Sequence, residues 1–289
     1  MFRISDIFSS KAKTVSFELF PPKTDEAYIK LLSTIDQLCT LKPDFISVTY
    51  GAGGGSRKKT QDIVGHIQDK HHIAGLAHLT CVLHTKDEIK AILEQMKSRE
   101  ITNVLALRGD PPQHQPDWTP GPENFRYSSE LAALIRKQFG NYFTIGVAGF
   151  PEGHVLCPNR ERDADYLKIK IDAGADFVIT QLFFNNKDYF DYVERLKRRG
   201  IRTRIIPGIL PITNYQGLTK FCKVCGSTVT DEVKQIFEPI QNDPKATSKA
   251  GVDFCVRQCR ELLKGGAPGL HFYTLNKLSP TDQVLKQII

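Results

Sequence analysis

A single carboxylate interrupts the apolar run TVSFELF at 14–20: Glu18, followed by Phe20, Pro21 and Pro22. Strand alternation turns Ser16, Glu18 and Phe20 to one side and Phe17 and Leu19 to the other. An acid held among Phe and Pro has its charged form disfavoured by desolvation, which raises its pKa toward the range useful for a general acid. The plainer alternative is a partner for a nearby cation. At 108–110, Arg-Gly-Asp supplies a planar cation and a carboxylate side by side, either as a structural ion pair or as a holder of a heterocycle or pyrophosphate. The prolines at 111–112 stop a helix from starting there, so 111–127, with Trp118, reads as a long loop able to form a lid.

Gln181, in FVITQLFF, is a neutral amide inside a hydrophobic strand and must find donors and acceptors. His78 lies in an apolar strand and His154 in the loop FPEGHV; neither has metal-ligand company such as H-E-x-x-H. Lys168 and Lys170 fall on one helix and can approach a phosphate or face solvent. The burst GAGGGS at 51–56 matches neither a Walker loop, because Ser56, Arg57 and Lys58 follow Gly55, nor G-x-G-x-x-G. Its glycines instead suit close approach of a ligand to the backbone.

Composition narrows the classes. The chain has 289 residues, 40% apolar and 25% charged, and a net charge of +7. No signal-peptide core and no run near the ~20 apolar residues of a membrane span is present, so a cytoplasmic protein without membrane contact is expected. The basic residues are interspersed with acidic ones, and the densest group, RLKRRGIRTR at 195–204, reads as the solvated end of a helix, which argues against nucleic acid. Seven cysteines without a secretory signal imply free thiols. Cys222, Cys225, Cys255 and Cys259 have a zinc-like grouping, but the i, i+4 pair on a helix with Val252 and Leu262 reads as core, and no metal is expected.

Eight β-branched runs must carry these residues: 14–20, 45–50, 76–82, 103–108, 143–149, 177–183, 204–210 and 270–275. Helical patterns lie between them. Residues 25–39 form one apolar stripe of 3.6 periodicity, and Thr85 to Glu88 is a capping box. Helices over 163–173 and 187–199 stop at Gly174 and Gly200. The alternation predicts an α/β fold, a (β/α)8 TIM barrel with extra helices before the last strand, in one domain over 1–289. In such a barrel the C-terminal strand ends build the site, and Glu18, Thr49, Tyr50, His78, Arg108, Asp110, His154 and Gln181 all fall there or in the loops that follow.

FELFPP (17–22), SVTYGAGG (47–54), HLTC (78–81), LALRGD (105–110), the run from Asp163 to Phe184, PGILPITN (207–214) and LHFYTLN (270–276) together resemble the methylenetetrahydrofolate reductase family, in that family's order and over nearly the whole chain. The resemblance implies noncovalent FAD and ping-pong reduction of 5,10-methylenetetrahydrofolate with NADH or NADPH. It makes Glu18 the general acid for opening the folate ring and Asp110 a carboxylate near both flavin and pterin. Gln181, Phe221 and Lys277 become substrate-binding. FAD falls to Thr49 (through the nicotinamide), Tyr50, Ala52, His78, Arg108, Gly109, Asp110, Tyr127, Ser128, Phe150, His154, Asp163 and Lys170. The chain departs from the pattern in places: Tyr166 and Ile169 replace polar contacts of some relatives, Gly217 replaces a Gln, and Lys277 stands where Arg is usual. No C-terminal regulatory domain is expected, and a homo-oligomer is. The rivals are another flavin barrel of the proline-dehydrogenase kind and a folate-binding barrel that has lost its chemistry.

Overall fold

The computed structural model describes residues 2–50, 57–110, 115 and 117–288. Eight parallel strands close in sequence order: β1 (Thr14–Leu19), β2 (Phe45–Val48), β3 (Ala74–Thr80), β4 (Asn103–Leu107), β5 (Thr144–Gly149), β6 (Phe177–Leu182), β7 (Arg204–Ile209) and β8 (Gly269–Tyr273). Ser16 and Glu18 pair with Phe45 and Ser47 on one side and with His271 and Tyr273 on the other, which closes the sheet. The expected (β/α)8 barrel is therefore the observed fold, and each apolar run overlaps one strand, β3 and β8 beginning two residues and one residue earlier than their runs. Those strands read as near-continuous apolar stretches because both of their faces are covered.

The helices begin where the local chemistry allows. After α1 (Ile4–Ser10), α2 (Asp25–Cys39) starts at Thr24, whose hydroxyl accepts from the Ala27 amide at 3.2 Å, and it buries Leu31, Ile35, Leu38 and Cys39. Following α3 (Arg57–His71), α4 (Lys86–Ser98) has the predicted capping box: Thr85 Oγ1 accepts from Glu88 N at 3.2 Å and Glu88 Oε2 accepts from Thr85 N at 2.8 Å. Then come α5 (Ser128–Phe139), α6 (Arg160–Asp172) and α7 (Asn186–Arg198). The last two start slightly earlier than the periodicity predicts, because Asn159 and Asn185 cap them. Before β8 the chain inserts α8 (Tyr215–Cys225), α9 (Asp231–Phe237) and α10 (Pro244–Lys264), and α11 (Thr281–Ile288) follows β8.

One core lies between strands and helices, with Phe17, Leu19, Ile46, Leu79 and Val104 facing outward. A second fills the inside of the barrel with Phe45, Leu76, Leu105, Phe177 and Ile206, and α1, not apparent in the sequence, caps it from below. Phe8 packs edge-on to Phe45 and Phe177 at 6.2 and 5.2 Å, and the Ile4 amide donates to Asn103 Oδ1. With its lower end plugged, the barrel leaves the end at the strand C-termini for a site.

One reading of composition changes, and the core reading of the cysteine pair on α10 holds. Arg195 is buried, not solvated: it and Arg199 bind Glu161 on α6 at 3.1 and 2.8 Å, and Arg199 also binds Asp165 at 2.7 Å. Cys255 and Cys259 lie in the outer core while Cys222 belongs to the cluster under α8, so packing explains these thiols. No helix among the described residues is long and apolar enough to cross a membrane.

Candidate functional site

Glu18 is the penultimate residue of β1 and points into the mouth. Its Oε2 lies 3.5 Å from His78 Nε2 on β3 and 3.6 Å from His271 Nε2 on β8. Behind it, His271 is fully buried; its Nδ1 shares a hydrogen bond with Ser16 Oγ at 2.8 Å, and Ser47 Oγ lies 3.5 Å from its Nε2. The backbone is fixed too. Thr274 Oγ1 donates to Glu18 O at 2.7 Å, while Asn276 grips Phe20 by accepting from its N–H and donating to its carbonyl, at 3.0 and 2.8 Å.

The expected rise in the Glu18 pKa does not occur in this environment. Burial pushes the carboxyl up, but the His271 hydrogen bond, the charges of His78 and His271 and the Ser47 hydrogen bond together outweigh it, leaving Glu18 below its ordinary 4.5. Burial pushes His78 down to about 4, against the pull of Glu18, so the ring is neutral near pH 7. His78 Nε2 is buried and makes no hydrogen bond among the described residues. An orphaned nitrogen facing a carboxylate in a concave site is an open valence for a ligand.

A second group gathers across β4, β5 and α6. Gly109, at φ +79, makes the turn after β4 that a side chain would strain, and Arg108 Nη2 reaches Asp110 Oδ1 at 3.6 Å. His154 stands edge-on to Phe150 at 4.6 Å and accepts from Leu156 N at 3.1 Å. Its pKa is lowered by burial first and then by Arg108 and Lys170, with Asp110 opposing, which ties these four charges to one neighbourhood. Lys170 turns inward, donating to Ala148 O at 3.0 Å and lying 5.5 Å above the Phe150 ring, whereas Lys168 pairs with Asp172 on the solvent face. Burial lowers Lys170, with Asp163 opposing, and raises Asp163 to about 6, with Lys170 and the His154 backbone opposing.

The remaining candidates distribute unevenly. Tyr50 shares a 2.9 Å hydrogen bond with His84 Nε2; Thr49 is held through its backbone, donating to Leu19 O and accepting from Thr60. Tyr127 and Ser128 open α5, the first exposed and the second buried. Gln181 sits in a β-bulge between Ile179 and Leu182, its Oε1 accepting from Leu182 N at 2.9 Å. Phe221 on α8 and Lys277 after β8 are exposed, and no contact joins them to the Glu18 group among the described residues. Ala52, the rest of 51–56, and 111–114 with Pro116 of the anticipated lid lie outside the described residues.

Sequence reasoning missed His271, Ser47 and Thr274. The signal was parity: His271 shares the inward side of β8 with Tyr273, whose hydroxyl donates to Thr180 O at 2.7 Å beneath the bulge.

A (β/α)8 barrel with a partly buried acid–imidazole group at its open end has the architecture of an enzyme. Residues 3–289 match the model of the family described as methylenetetrahydrofolate reductase, and the chain belongs to that family. Relatives include the 5,10-methylenetetrahydrofolate reductase of Escherichia coli, 37% identical over 266 residues that cover 91% of this chain and 86% of that protein. Methylenetetrahydrofolate reductase 1 of Schizosaccharomyces pombe is 36% identical over 95% of this chain but 46% of its own length, and the Arabidopsis thaliana (NADH) enzyme 1 is 35% identical over 95% and 48%. The chain thus spans about half the length of these eukaryotic relatives. Among solved structures, a Clostridium thermocellum protein that binds two copies of 5-methyl-5,6,7,8-tetrahydrofolic acid has a TM-score of 0.63 at 14% identity, covering 98% of this chain and 96% of that one, a likeness of fold.

Proposed function

We propose that this chain is the catalytic barrel of a flavin-dependent reductase that converts 5,10-methylenetetrahydrofolate to 5-methyltetrahydrofolate with NADH or NADPH. The observation that carries the reading is Glu18, a partly buried carboxylate flanked by two imidazoles at the mouth of a barrel of this family. Relatives bear both NADH and NADPH in their names, so the nicotinamide is left open. The folate ligand of the Clostridium thermocellum barrel is consistent with a pterin-sized guest at such a mouth.

The residues fit FAD. His78 Nε2 is a buried nitrogen that makes no hydrogen bond among the described residues, Arg108 and Lys170 bring cations beside His154 for a pyrophosphate, and exposed Tyr127, Leu156, Tyr166 and Ile169 offer apolar cover for rings. Bound FAD would supply hydride chemistry, accepting from the nicotinamide and giving to the folate. Opening the five-membered folate ring needs a proton on the bridging nitrogen as its C–N bond breaks, leaving an electrophilic iminium carbon. Glu18 delivers that proton. A substrate lying over it would expel water, weaken solvation of the carboxylate and push its pKa up from the low resting value. His271, fixed by Ser16, orients the acid, and the Asp110 carboxylate favours the cationic iminium over its neutral precursor. The Gln181 amide would leave the Leu182 N–H to bind substrate polar groups.

The purified protein is expected to be yellow, to bleach anaerobically with NADH or NADPH, and to recover its colour on adding methylenetetrahydrofolate. Protein that is colourless and takes up no FAD overturns the proposal, and bleaching that folate cannot reverse assigns the chain to another flavin chemistry.

A further inference from the structure

Away from the mouth, α2 and α3 bring together three groups that the reductase chemistry does not use. Asp36 lies in the last turns of α2, and His66 and His71 in the second half of α3, toward the plugged end of the barrel. We propose that Asp36, His66 and His71 form a site for a divalent transition cation of the zinc type, stapling α2 to α3.

The geometry is close to that of a coordination sphere. Asp36 Oδ1 is 2.7 Å from His71 Nε2 and 3.5 Å from His66 Nε2, and the three donor atoms all lie within 4.8 Å of one another. Tetrahedral zinc with bonds of about 2.0–2.2 Å sets its ligand atoms about 3.3 Å apart, so small ring rotations suffice. The two imidazoles meet edge-on at 5.7 Å, which leaves both nitrogens directed at the carboxylate. His66 supplies the independent observation. Its Nε2 is buried, yet at 3.5 Å from Asp36 it makes no hydrogen bond among the described residues. A cation would give that lone pair a partner and take the place of the proton that His71 Nε2 now donates to Asp36 Oδ1.

The donor set selects the metal. Two imidazoles and one carboxylate suit zinc and its first-row neighbours, whereas magnesium and calcium prefer oxygen ligands throughout. The carboxylate is already ionised, as a metal ligand must be. Lys70, hydrogen-bonded to its other oxygen, supports that charge. Lys70 is also the competitor. Its ammonium lies 2.8 Å from Asp36 Oδ2 and would repel a cation on Oδ1, but its side chain is 53% exposed and can swing into water.

The test is calorimetric titration of Zn2+ into the purified, chelator-stripped protein with any flavin retained, followed by Co2+ spectroscopy. Expected are one equivalent of Zn2+ bound at micromolar or tighter affinity and weakening of at least about tenfold in both His66→Gln and His71→Gln. Lys70→Gln should bind several-fold more tightly, and flavin absorbance should be unchanged in all three. Zn2+ should raise the unfolding temperature of the wild type but not of the double histidine variant. Failure to bind below millimolar concentration overturns the proposal. So does equal affinity in the double variant, or a thiolate charge-transfer band with Co2+, which would put the metal on cysteine.

Discussion

Glu18 shows how far one residue's chemistry depends on neighbours remote in sequence. Its own strand supplies Phe17, Leu19 and a desolvated setting, which alone would make it a weak acid. Ser47, His78 and His271, from three other strands, reverse the balance and leave an ionised carboxylate at rest. On the proposed function, proton donation then requires the site to be covered. Replacing Glu18 by Gln keeps the shape and removes the proton, so folate reduction by the reduced enzyme is expected to slow by about 10² to 10⁴. Anaerobic flavin reduction by NADH or NADPH should change little, since no proton on the folate nitrogen is involved there. Stopped-flow measurement of the two half-reactions separates them, and equal slowing of both would make Glu18 a structural residue. A lone acid in an apolar run was legible in the sequence; the direction of its pKa was not, because that is set by strands β2, β3 and β8.

Among the elements, the strands were the most legible, because covered barrel strands give apolar runs that helices of 3.6 periodicity separate cleanly. The α1 plug was not, since seven residues carry too little periodicity and its burial depends on Phe45 and Phe177, far along the chain. The basic stretch around Arg195 and Arg199 looked solvated because Glu161 and Asp165 reach it from another helix. The β6 bulge was also hidden, and it rests on a glycine of the neighbouring strand. A Cβ on Gly208 would stand 2.2 Å from Thr180 O and 2.7 Å from the Tyr273 hydroxyl, inside the contact that backs Gln181. Gly208→Ala is therefore expected to cost about 1–3 kcal/mol through overpacking, read as a lowered urea midpoint at unchanged slope. An unshifted midpoint would mean that β6 and β7 can part without penalty at this point.

At the scale of the whole molecule, a site open to ligands leaves charged groups in poor solvent, and this sets the acid stability of the fold. The barrel was legible from alternation alone, whereas this balance depends on which side chains the closed sheet gathers. His78 has a folded pKa of about 4 against an ordinary 6.5, so between these values the unfolded chain binds more protons. Its contribution is intact above pH 6.5 and is lost as the pH falls toward 4, by about 3 kcal/mol. Asp163 has the opposite sign. Its folded pKa of about 6 exceeds the ordinary 3.8, so the native state takes up protons first and gains about 3 kcal/mol as the pH falls through the same window. The two nearly cancel. Asp163→Asn, neutral at every pH, removes the gain and exposes the loss. In matched samples freed of small ligands, the variant is expected to lose on the order of 3 kcal/mol more unfolding free energy than wild type between pH 6.5 and 4, measured by urea titration at each pH. Parallel curves would show that Asp163 is solvated as an ordinary carboxylate and that α6 does not hold it in the protein's interior.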